Sequence, residues 1–142
     1  MKTKRHYAVS TFFGLLLTLF LFSGCSQTAA SPSDSKSGSY QQISSKEAAA
    51  MMEEEEDYLI LDVRTPEEFE EAHIPEAVNV PNETIGTEEI PELPDKEQLI
   101  FVYCRSGNRS KQASQKLADL GYTNIIEFGG INDWNGDTVT GR

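Results

Sequence analysis

The sequence contains only two cysteines and two histidines in 142 residues. His6 and His73 are isolated from any ligand spacing, so no metal centre is expected and no cofactor is called for. Positive charge is also scarce: 12 Lys and Arg stand against 23 Asp and Glu, a formal charge of −11. An acidic body argues against nucleic acid as a partner and against electrostatic docking on anionic lipid. The deficit is uneven. Lys46–Glu97 carries 18 acids and three bases, whereas Phe101–Arg142 carries four acids and five bases. The run Glu53–Asp57 reads as a solvated helix end. Long apolar stretches are missing too. The longest, Phe12–Phe22, falls short of the roughly 20 residues a membrane-spanning helix needs.

That apolar run follows Lys2, Lys4 and Arg5 and ends in Leu21-Phe22-Ser23-Gly24-Cys25. The arrangement has the parts of a signal peptide. Its end resembles the lipobox of bacterial lipoproteins, over this segment alone. The resemblance implies cleavage before Cys25, lipid on the Cys25 thiol and an extracytoplasmic protein anchored to the cell membrane; a plain secretory signal is the alternative. The expected organisation is a signal peptide over 1–24, a lipidated Cys and flexible linker over 25–39, and one folded domain over 40–142. Cleavage would leave nine bases against 23 acids, a formal −14. Ser26–Ser39, rich in Ser, Ala and Gly, reads as a tether reaching about 20 Å as random coil.

From Tyr40 the pattern alternates between strand and helix. Tyr40–Ile43 reads as a weak strand. Ser44 or Ser45 can cap a helix to Met52, with Glu47 placed for a capping box. Tyr58–Val63 is apolar on both faces, as a buried strand is. Thr65-Pro66-Glu67-Glu68 opens a short helix with a cap, a first-turn proline and acids. Ala77–Val80 is a short strand, Asn82–Leu93 is irregular or partly helical, and Gln98–Tyr103 is the strongest strand. Ser110–Leu120 is an amphipathic helix stopped by Gly121. Asn124–Phe128 is the last strand. Such alternation implies an α/β fold with a mostly parallel sheet and helices on both faces. Ligands on such sheets bind beyond the carboxyl ends of the strands.

Cys104 sits at one such end, and Cys104-Arg105-Ser106-Gly107-Asn108-Arg109-Ser110 runs straight into a helix. Loop amides, a helix N-terminus and two arginines all favour negative charge at one point. A thiol there should ionise readily, and the thiolate is the nucleophile. With Cys25 lipidated, Cys104 has no disulfide partner in its chain, and an unpaired extracytoplasmic thiol points to reactivity. The plainer alternative is a small buried hydrophobe. The reactive reading requires a thiol that is ionised and not sealed from solvent.

Three stretches together resemble the single-domain rhodanese-like sulfurtransferases, over Ile43 to Trp134. They are Leu61-Asp62-Val63-Arg64-Thr65-Pro66-Glu67-Glu68-Phe69, His73-Ile74-Pro75-Glu76-Ala77-Val78-Asn79-Val80-Pro81, and the Cys104–Ser110 loop. The resemblance implies a rhodanese-like three-layer fold around a mostly parallel five-stranded sheet. It also implies transfer of a sulfane sulfur from a small anionic donor such as thiosulfate to a thiol, a protein or cyanide. Cys104 would carry the sulfur as a persulfide. Arg105, Ser106, Gly107, Asn108 and Arg109 would bind the donor and hold the persulfide charge. Ser110 supports the loop, and Asp62 would steady it by a hydrogen bond or an ion pair with Arg109, the alternative being a helix cap. Arg64 is expected on the surface or in a salt bridge, His73 in a structural role and Trp134 in the core. Glu76 stands where the family usually has glycine, Ala72 where glycine often precedes the histidine, and Asn135–Arg142 lacks the usual closing proline. Two rivals stay open. A Cys-based phosphatase or arsenate reductase uses Cys-x5-Arg, whereas Cys104 and Arg109 are one residue closer. A non-catalytic membrane-tethered module would bind a partner or sense redox state.

Overall fold

The computed structural model describes residues 38–86 and 90–141. The expected signal segment, Cys25 and the linker as far as residue 37 lie outside the described residues.

Strand β1 (Gln41–Gln42) leads into helix α1 (Ser45–Glu54), then β2 (Tyr58–Asp62), α2 (Pro66–Glu71), β3 (Val78–Asn79), β4 (Leu99–Cys104), α3 (Asn108–Asp119) and β5 (Ile125–Gly130). The sheet order is β1-β5-β4-β2-β3, and every pairing of these strands is parallel. The α/β expectation holds. Both short helices start as read from the sequence. Ser44 caps α1 in a capping box with Glu47; Thr65 caps α2 in one with Glu68, with Pro66 in the first turn.

Alternate residues of β4 serve opposite faces of the sheet. Ile100, Val102 and Cys104 pack with Ala113, Leu117 and Ala118 of α3, whereas Phe101 and Tyr103 pack with Ala48 and Met51 of α1. Cys104 therefore faces the α3 side. Trp134 is partly buried against the second cluster. His73 is structural, as expected: Nδ1 lies 2.8 Å from the Phe69 carbonyl, and the ring stacks on Phe69. The tail is fastened, since His73 and Val139 exchange backbone hydrogen bonds of 2.9 and 2.8 Å.

Element ends differ from the sequence reading by one or two residues in most places, and three differences bear on the site and its surroundings. Helix α3 begins at Asn108, two residues early, because Gly107 with φ 98° turns the chain directly into it. Strand β5 runs on through Gly129 and Gly130, where Gly130 pairs with Cys104 across a register shift. Described residues of the irregular stretch after Asn82 form turns rather than helix. Glu76, in the glycine position, adopts φ 65°.

Candidate active site

Strand β4 delivers Cys104 to the carboxyl end of the sheet, and the loop folds back over the sulfur. The Gly107 amide donates to Sγ at 3.1 Å, and the Ser110 hydroxyl lies 3.6 Å from it. Burial pushes the Cys104 thiol up. Hydrogen bonds from the Ser110 hydroxyl and from the Ser110, Ser106 and Gly107 amides outweigh that, leaving the thiol below its ordinary range. Gly107 has no side-chain cap to offer, so the first-turn amides of α3 are open to charge at the sulfur.

The loop lies where it does because β5 permits it. A Cβ on Gly130 would fall 2.1 Å from the Arg105 carbonyl oxygen, so a larger residue would collide with the loop backbone. The Asn132 amide also donates to that carbonyl, at 3.3 Å.

Two carboxylates that sequence reasoning did not assign complete the site. Glu127 on β5 is 2% exposed. Its Oε1 accepts from the Ser110 hydroxyl at 2.6 Å and from the Gly129 amide at 2.9 Å. Cys104, Ser110 and Glu127 therefore form one buried chain of polar groups. Glu68 on α2 accepts from Arg109 and is ion-paired with Arg105. Arg109 engages it with two nitrogens, at 2.6 and 2.9 Å, and Arg105 Nε lies 3.0 Å away. The Arg109 hydrogen bond is the main reason the Glu68 carboxyl is lowered to about 2. A signal existed for Glu127, an acid inside an otherwise apolar strand. For Glu68 the only hint was its place in the resemblance.

The expected Asp62–Arg109 pairing is not formed. Asp62 is fully buried and binds Arg64 instead, through Arg64 Nη2 at 2.6 Å and Nε at 3.0 Å. Arg64 also donates to the Ala72 carbonyl at 2.6 Å. Spacing decides this: Arg64 lies two residues beyond Asp62 at the same strand end, while Arg109 is captured by Glu68. Asp62 is thus a buried anchor for the turn after β2, and the salt-bridge reading of Arg64 holds. Ser106 and Asn108 are exposed, and Asn108 opens α3 rather than shaping the turn.

Cys104 is 1% exposed. That stands against the requirement for an accessible thiol. Arg105, Ser106 and Asn108 of the loop that follows it are exposed.

Comparison with known proteins finds relatives across most of the described domain. Residues 44–137 match the family described as Rhodanese-like domain. Thiosulfate sulfurtransferase PspE of Escherichia coli is 36% identical over 73 residues, covering 51% of this chain and 70% of that protein. The adenylyltransferase and sulfurtransferase UBA4 of Meyerozyma guilliermondii is 40% identical over 86 residues, and the match spans only 20% of its length. The solved structure of a rhodanese with anions from E. coli superposes with a TM-score of 0.55 at 35% identity, over 59% of this chain and 99% of that one.

Proposed function

The chain belongs to the rhodanese-like domain family, and on that premise we propose that it is a sulfurtransferase working through a persulfide on Cys104. The observation that carries this reading is the hydrogen-bond set that draws the Cys104 thiol down despite its burial. In the first step the Cys104 thiolate attacks the outer sulfur of a sulfane donor. An Sγ–S bond forms, the donor's S–S bond breaks, and the leaving group departs with the electron pair; with thiosulfate that group is sulfite. A thiophilic acceptor (cyanide, a thiol or a protein) then takes the outer sulfur and regenerates the thiolate. The Ser106, Gly107 and Ser110 amides are preorganised donors for the single charge the sulfur carries in both states. With thiosulfate as donor and an anionic acceptor, no step changes the net protonation of the sulfur, so no outside acid or base enters that cycle.

The test is intact-mass measurement on the full chain after treatment with thiosulfate or a small hydropersulfide. One added sulfur is expected, removed by cyanide and absent in Cys104→Ser. Burial of Cys104 favours a second reading, a binding module without turnover. No sulfur adduct from either donor would decide for that module. The Cys-x4-Arg spacing supports sulfur over phosphate, and an assay with a phosphate ester separates the two.

The N-terminal reading belongs to the same proposal: Met1–Gly24 as signal peptide, lipid on Cys25 and an extracytoplasmic domain on a tether. Labelling cells with a fatty-acid analogue should mark the wild type and leave Cys25→Ser unmarked. Equal labelling of both would end that part of the reading.

A further inference from the structure

The two arginines expected to receive an anionic donor are already engaged. Arg109 presents its two-nitrogen face to Glu68, at 2.6 and 2.9 Å, and Arg105 adds Nε at 3.0 Å. The carboxylate cannot swing away freely, because the Thr65 amide holds Oε2 at 3.2 Å in the capping box of α2. Its side chain is 15% exposed, against 26% for Arg109 and 57% for Arg105. The positive charge near the sulfur is therefore already offset, with Glu83 also acting on Arg109. Arg105 and Arg109 are offset by Glu68 and by the Cys104 thiolate, with the Glu127 carboxyl behind Ser110. What remains for an incoming group is the amide set of the loop and the exposed end of Arg105, itself paired with Glu68, which together suit one negative charge better than two.

We propose that Glu68 sets the charge of the sulfur donor, selecting a neutral or singly charged hydropersulfide of a small thiol over a doubly charged oxyanion such as thiosulfate. This rests on the sulfurtransferase reading above. A dianion gains full benefit from a guanidinium fork only by displacing Glu68, which breaks a bidentate charge-assisted pair. A hydropersulfide needs no fork. The thiolate attacks its terminal sulfur, the S–S bond breaks, and the small thiol leaves as R–S⁻ with the electron pair. The proton stays on the transferred sulfur until that sulfur ionises.

Glu68→Gln tests the idea, because glutamine also serves at the third position of a capping box and α2 keeps its start. Sulfur loading of the full chain is followed with thiosulfate and with the hydropersulfide of 2-mercaptoethanol. In Glu68→Gln the ratio of the thiosulfate rate to the hydropersulfide rate should rise about tenfold. In the wild type, added salt should slow thiosulfate loading only slightly; in the variant it should slow it steeply. An unchanged ratio of the two rates in Glu68→Gln overturns the proposal. So does steep salt dependence in the wild type, a measurement that needs no variant to fold. Loading by hydropersulfide with either of those results leaves sulfur transfer standing and removes only the role of Glu68. Loading by neither donor removes both.

Discussion

At the scale of single residues, the chemistry depends on which way one hydroxyl donates. Ser110 has one proton and several acceptors: Glu127 Oε1 at 2.6 Å, the Gly107 and Gly129 carbonyls at 3.1 and 3.2 Å, and Cys104 Sγ at 3.6 Å. A thiolate competes with the Glu127 carboxyl group for that proton inside one buried pocket. The neighbouring charges are Arg105, Arg109 and Glu68, with Glu83 acting on Arg109; Lys111 on α3 is exposed. Opposite shifts follow for two variants. Ser110→Ala removes a donor to the thiolate, so the rise of activity with pH should move up by about one unit. Glu127→Gln replaces the competing acceptor with a weaker one and should move it down. The pH profile of sulfur loading, with thiolate absorbance as a second readout, measures both. Shifts of the same sign in the two variants would contradict this picture of the pocket.

At the scale of elements, two glycine positions show how backbone decides what side chains cannot. Gly130→Ala would drive Cβ into the Arg105 carbonyl and lift the loop. Loading should fall on the order of 100-fold, since small displacements of reacting groups cost that much. The α3 and β5 helical and sheet signals in circular dichroism should stay. Position 76 runs the other way. Glu76 is exposed at φ 65°, where a Cβ is strained. Glu76→Gly should raise stability by about 1 kcal/mol in denaturant melts, without altering sulfur loading. The elements themselves were legible because their signals are local. Ser44 with Glu47, Thr65-Pro66 with Glu68, and the apolar runs of β2 and β4 each declare themselves within a few residues. The Cys104 loop was legible for the same reason. What was not legible is tertiary. Glu127 meets Ser110 across 17 residues of sequence and Glu68 meets Arg109 across 41. No periodicity encodes such meetings. Asp62 was assigned the wrong arginine because the fold, and not the chain, brings Glu68 within reach of Arg109 first.

At the scale of the whole molecule, that ion pair also links stability to acidity. Glu68 joins α2 to the loop and to the start of α3, elements on opposite sides of β4 in sequence. Its carboxyl lies at about 2 in the folded chain against 4.5 as the ordinary value, mainly through Arg109. A depressed folded value means the unfolded chain binds the proton first. The contribution is complete above pH 4.5, declines as pH falls from 4.5 toward about 2, and is gone below that. Glu68→Gln carries no such titration. Its thermal midpoint should lie below that of the wild type at neutral pH, and the gap should close across the same acidic window. The pair is partly exposed, so salt should narrow the gap at neutral pH as well. The variant that opens the loop arginines to an oxyanion should therefore also be the one that loses this acid-sensitive share of stability. A gap that stays constant from neutral pH down to 2 would show that the Glu68 charge does not hold these elements together.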